Sequence, residues 1–163
     1  MHGGSYHKLA DRVRLRDVTI DDLPDLFRFQ SDLDAVQMAV VSPRPEDAFV
    51  AFWESVLADP SVVAKVIVVD EAVIGNISCF EMDGQDSVGY WVDRAFWGRG
   101  VATAALTLLL EQVPTRPLHA RVARSNLGSI RVLERCGFAC LGTQWFDGDD
   151  RFPACEEALF RIG

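Results

Sequence analysis

The chain has 163 residues, 49% of them hydrophobic and 25% charged, which is the balance of one globular domain able to bury its own core without disulfides. Lys and Arg number 16 against 24 Asp and Glu, a net charge of −8. So acidic an average argues against a surface that coats nucleic acid and against a polybasic membrane anchor.

Residues 1–11 lack the apolar run of a signal peptide and are expected to be a flexible leader, with residues 12–163 as a single domain. Val13 to Arg16 alternates with period two and predicts a first strand. Thr19 or Asp21 is placed to cap a helix through Leu23, Leu26 and Phe27. A second helix is expected after Ser42-Pro43-Arg44-Pro45. Its residues Phe49, Phe52, Trp53, Val56 and Leu57 hold helical spacing, and Asp59-Pro60 ends it. The β-branched runs Val62 to Val69 and Ala72 to Phe80 flank Asp70-Glu71 and predict a hairpin. Ser87 to Asp93 is a fourth strand. A glycine-bearing turn then opens a helix from about Val101 to Val113, stopped by Pro114. Leu118 to Arg124 is a fifth strand. Asn126 opens a short helix closed by Gly137, which suits the left-handed position after a helix. Ala139 to Phe146 and Glu156 to Ile162 complete seven strands and four helices, an α+β fold with a mixed sheet.

The longest apolar stretch, Val101 to Leu110, is too short for a membrane span, which needs roughly 20 residues. The four cysteines (Cys79, Cys136, Cys140, Cys155) make neither a CxxC pair nor a metal-ligand spacing. No metal is therefore expected, and reduced thiols in a cytoplasm are the default. Lys8 and Lys65 are the only lysines, an arginine bias of the kind a GC-rich bacterial genome produces.

Chemistry concentrates between Gly89 and Thr103. A strand runs into Gly98-Arg99-Gly100, and a helix starts at once. The first N–H groups of a helix lack internal partners, and its dipole makes that end positive, so the turn is a candidate phosphate cradle. A strand-to-helix turn that needs glycine for geometry alone would look the same. The Walker pattern GxxxxGK[ST] is absent. A dinucleotide fingerprint fails as well, because Thr103 stands at its third glycine and no acid follows about 20 residues on. That disfavours a nicotinamide oxidoreductase.

Trp97-Gly98-Arg99-Gly100-Val101-Ala102 resembles the R/Q-x-x-G-x-G/A signature of the GNAT superfamily of acyl-CoA-dependent N-acyltransferases. Trp97 replaces the usual Arg or Gln, as in the branch of Rim-type ribosomal-protein N-terminal acetyltransferases. A second segment, Asn126 to Phe138, is similar to that family's N-x-x-[AS]-x-x-x-[YL]-E-[KR]-x-G-F, with Ser129, Leu133, Glu134, Arg135 and Gly137 in register. The two stand in family order with one strand between them. The resemblance covers roughly residues 12 to 162 and implies a mostly antiparallel sheet splayed between strands four and five.

It also implies acetyl-CoA as acyl donor and a primary amine as acceptor, either a protein N-terminus or a small molecule, joined by direct attack. Backbone groups near Trp91 and Val92 would then bond the pantetheine arm, and the Val92 N–H would face the thioester oxygen. Amides from Gly98 to Thr103, those of Gly100, Val101 and Ala102 among them, would hold the pyrophosphate, and Arg99 would add a charge-assisted contact or else face solvent. Asn126 would bridge the fifth strand and the pantetheine arm, or simply cap its helix. Asp86 matches a family base position, with Glu81 and Asp83 as alternatives. Leu133 replaces a common tyrosine acid. Ser129, one helical turn earlier on the same face and a serine in Rim-type relatives, is a candidate donor to the leaving sulfur or else a small residue that lets the helix approach the cofactor, and water could fill the acid or the base role. Phe27, Phe29, Gln30, Phe49, Trp53, Trp145 and Phe146 are candidate walls of the acceptor pocket, although their spacing is that of core. Asp147, Asp149 and Asp150 are placed to attract a cationic amine. Family members are often homodimers. The missing tyrosine also leaves open a non-catalytic acyl-CoA-binding module.

Overall fold

The computed structural model describes residues 8–163. Its central sheet has seven strands: β1 (Val13–Asp17), β2 (Val63–Val69), β3 (Ala72–Met82), β4 (Gln85–Val92), β5 (Leu118–Ala123), β6 (Ala139–Phe146) and β7 (Cys155–Ile162). They lie in the order β1-β2-β3-β4-β5-β7-β6. All neighbours are antiparallel except β4 and β5. Five α-helices accompany the sheet: α1 (Leu23–Gln30), α2 (Leu33–Ala39), α3 (Glu46–Ala58), α4 (Val101–Gln112) and α5 (Leu127–Arg135). The expectation of four helices is corrected by α2. That helix has seven residues and buries only Ala35, so it carries no apolar stripe to read; the Asp32 carboxylate caps it by accepting from the Asp34 and Ala35 amides.

Successive side chains of a strand point to opposite faces, and both faces of this sheet are covered. On one face Leu23, Leu26 and Phe29 of α1 pack with Phe49 and Trp53 of α3 against Val66 of β2. On the other, Leu106 and Leu109 of α4 and Leu133 of α5 pack with Ile67, Ile77 and Phe160. Val66 and its neighbour Ile67 thus serve different cores. Phe29, Phe49 and Trp53, considered above as acceptor-pocket walls, belong to the first of these cores.

The expected leader divides. Residues 1–7 lie outside the described residues. Leu9–Arg12 form a 3-10 turn, Leu9 packs against the core, and a Cβ on Gly100 would lie 3.5 Å from the Ala10 side chain. Residues 9–11 thus lie beside the start of α4.

What positions the site is the parting of β4 from β5. The two strands pair only at Ser87↔His119. Beyond that point β5 stays with β7 while β4 stays with β3, so the open sides of β4 and β5 face a gap.

Candidate acyl-CoA cleft and acetyl-transfer site

A cleft of about 420 Å³ opens at this gap. Tyr90, Trp91 and Val92 of β4 form one wall, Gly98 and Gly100 with the first turn of α4 the floor, and Asn126 with Ser129, Arg131 and Arg135 of α5 the other wall; α2 closes it with Ala35, Met38 and Ala39.

Hydrogen-bond alternation decides which β4 groups face the opening. The Asp93 amide donates to the Ile74 carbonyl at 2.7 Å, in register with Gly75↔Val92. In an antiparallel ladder every second residue bonds to the partner, so Trp91 bonds toward Asn76, and the backbone of Tyr90 and Val92 faces the gap. Trp91 thus lines the cleft without offering it backbone groups. Its indole donates to the Phe29 carbonyl at 3.2 Å and ties β4 to α1. The Trp97 indole donates to the Val92 carbonyl at 2.9 Å. Trp97 therefore latches the end of β4 to the turn and occupies one acceptor site of the Val92 carbonyl, while the Val92 N–H faces the gap.

Gly98 and Gly100 have φ of 73° and 78°, in the left-handed region that residues with a Cβ rarely adopt. No side chain caps α4, and its first ladder bond runs from the Ala104 amide to the Gly100 carbonyl. The N–H groups of Val101, Ala102 and Thr103 therefore stay outside the helix ladder, at its positive end. Arg131 and Arg135, one turn apart on α5, add two cations to the same cleft. Neither was assigned a role from sequence. Their i,i+4 spacing behind Ser129, within residues 98–135 that carry six arginines against two glutamates, was the available signal. Arg99 does not line the cleft.

The Asn126 side-chain oxygen accepts from the Ser129 amide at 3.2 Å, so it caps α5, leaving its NH₂ as a donor. The Tyr90 hydroxyl lies 2.7 Å from the Ser129 hydroxyl and 3.2 Å from the Ser129 carbonyl. Burial pushes the Tyr90 phenol up to about 12, partly opposed by its bond to Ser129.

Asp86 is not brought to this place. It pairs with Glu81 at the far end of β4, and the intervening strand spans about 20 Å to Val92. Among the described residues no Asp, Glu or His lines the cleft. The Asp149 carboxylate accepts from the Arg151 and Phe152 amides and so shapes its own loop, while Trp145 is exposed. Burial raises the thiols of Cys79 and Cys136 above the usual range, which opposes a thiolate nucleophile. The Cys136 sulfur contacts the Thr103 carbonyl at 3.6 Å and packs α5 on α4. Among the described residues no group of three or more His, Cys, Asp or Glu could hold a metal ion, and no helix is long and apolar enough to cross a membrane.

A strand that leaves its neighbour, a helix start with free amides and two arginines beyond it thus line one cleft. The chain belongs to the acetyltransferase (GNAT) domain family, whose sequence profile matches residues 12–139. It is 34% identical over 77 residues to "Probable N-acetyltransferase YjcK" of Bacillus subtilis (strain 168), a segment spanning 42% of each chain. Its fold is that of the microcin C7 self-immunity acetyltransferase MccE, solved with acetyl-CoA and AMP (TM-score 0.76, 16% identity, 93% of this chain and 92% of that one). It is equally that of Mycobacterium smegmatis RimJ, solved with a CoA disulfide (TM-score 0.74, 24% identity, 92% and 81%).

Proposed function

We propose that the protein transfers the acetyl group of acetyl-CoA to a primary amine by direct attack within a ternary complex. The observation that carries this is the cleft itself, in which the Val92 N–H, the free α4 amides and Arg131 with Arg135 line one continuous groove. In this reading the amides of Val101, Ala102 and Thr103 take the pyrophosphate, and the two arginines take phosphate charge. The Val92 N–H donates to the thioester oxygen as charge develops on it. The Asn126 NH₂ donates to the pantetheine arm. Ser129 faces the leaving sulfur. The reading fits a bacterial cytoplasmic enzyme.

The acceptor follows from the cleft wall. No carboxylate or imidazole lines the cleft among its described residues, and in this reading the attacking amine loses its proton to water. At pH 7 about a tenth of an α-amine is neutral, against roughly one in 2,500 of a lysine amine. We therefore assign an α-amine as acceptor, on a protein N-terminus or an amino-acid-like molecule. A peptide with one free α-amine and one lysine, incubated with acetyl-CoA and mapped by fragmentation mass spectrometry, tests this. Acetyl on the α-amine is expected, and preferential lysine acetylation would contradict it.

A further inference from the structure

Leu133 stands on α5 where a tyrosine acid is common in the family the chain resembles, and a phenol from the sheet instead reaches the Ser129 hydroxyl. We propose that Tyr90 is a positioning residue for the leaving group: it holds the Ser129 hydroxyl so that the serine proton points at the thioester sulfur. The inference rests on the acetyl-transfer reading and deepens it.

The argument is one of hydrogen-bond capacity. Both residues line the cleft, and their hydroxyl oxygens are 2.7 Å apart. Each hydroxyl has one proton to give. When Tyr90 donates to Ser129 Oγ, the serine proton has no claim on it from the phenol and turns to the cleft. When Tyr90 donates instead to the Ser129 carbonyl, at 3.2 Å, the serine proton returns to the phenol oxygen. Negative charge on sulfur selects the first arrangement. Switching needs two O–H rotations and no movement of the backbone. Ser129 is held for this by the Asn126 oxygen on its amide, and Tyr90 by its place in the β4 ladder opposite Ile77.

The chemical step balances without a side-chain acid. The amine nitrogen bonds to the acetyl carbon, the C–S bond breaks, and its electron pair goes to sulfur. Ser129 Oγ–H donates to the thiolate while Tyr90 Oη–H donates to Ser129 Oγ. Both hydroxyls keep their protons, because burial holds the phenol up at about 12 whereas an alkyl thiol titrates near about 8.5. The proton that sulfur finally takes is the one the nitrogen sheds, carried through water.

The test is a cycle of Tyr90→Phe, Ser129→Ala and the double variant, read by amine-dependent thiol release and by calorimetry with CoA. Tyr90→Phe keeps the ring and removes only the hydroxyl. It should lower kcat about tenfold to a hundredfold, the loss of one hydrogen bond that supports a charged group, with KM for acetyl-CoA, CoA affinity and Tm changed little. Ser129→Ala should lose about as much, and the double variant no more than either alone. Wild-type kcat in Tyr90→Phe, a loss confined to CoA affinity or Tm, or singles whose effects multiply would each overturn the proposal while leaving acetyl transfer intact. A wild-type protein that binds CoA but releases no thiol with any amine would remove both.

Discussion

Gly75 sits opposite Val92 in the β3–β4 ladder, and a Cβ there would collide with the Trp91 carbonyl and press on the Val92 Cα at 3.1 Å. A side chain at this position therefore pushes on the strand that carries the candidate oxyanion donor. Gly75→Ala should cost about 1–3 kcal/mol of stability by overpacking, measured by denaturant unfolding, and should weaken CoA binding as Val92 shifts. Unchanged stability and affinity would mean that the two strands part without cost. In sequence, Gly75 is one residue inside a β-branched run, and nothing local reveals what faces it. Tyr90 is similar: its partner Ser129 is 39 residues away, so only the folded chain brings the two hydroxyls together. The Asn126 cap and the Gly98–Gly100 turn were legible because they are local, a cap, a turn conformation and a helix start. Asp86 shows the limit. The start of a strand was readable, but which end of it opens into a cleft depends on where β4 leaves β5.

At the scale of elements, Asp22 secures the entry to α1. Arg16 donates to both its oxygens at 2.7 and 2.8 Å, and the Thr19 amide donates at 2.8 Å, although the Asp22 side chain is almost fully buried. These bonds, led by that to Arg16, hold the carboxyl below the usual carboxylate range against the opposing effect of burial. A depressed folded value gives stability that is fully present above the unfolded value of about 3.9 and is lost as pH falls through the lower folded value. Asp22→Ala should therefore cost about 1–3 kcal/mol at pH 7, held toward the low end because Arg16 is half exposed. The gap from wild type should narrow in acid, as read by Tm against pH, and a gap independent of pH would refute the ion-pair origin. The strands were legible because alternation and β-branching survive without tertiary context, and α1, α3, α4 and α5 because each shows a stripe or a stop signal. Helix α2 was not, since its role is to close the cleft with Ala35, Met38 and Ala39 rather than to fill a core.

Over the whole molecule, the net charge of −8 hides an uneven distribution. Residues 98–135 carry six arginines against two glutamates, and Arg131 and Arg135 of that stretch line the cleft. The acidic average therefore describes the surface outside the anion site, where it favours approach of a cationic amine. The parting of β4 and β5 leaves a cleft lined by those arginines and by the Tyr90–Ser129 pair. The most direct measurement is release of free CoA thiol from acetyl-CoA by the wild-type protein, with and without an α-amine acceptor. Acetyl transfer predicts release that requires the amine and rises with pH toward the amine's own pKa. Saturable CoA binding with no amine-dependent release would contradict it and leave a protein that holds acyl-CoA without using it.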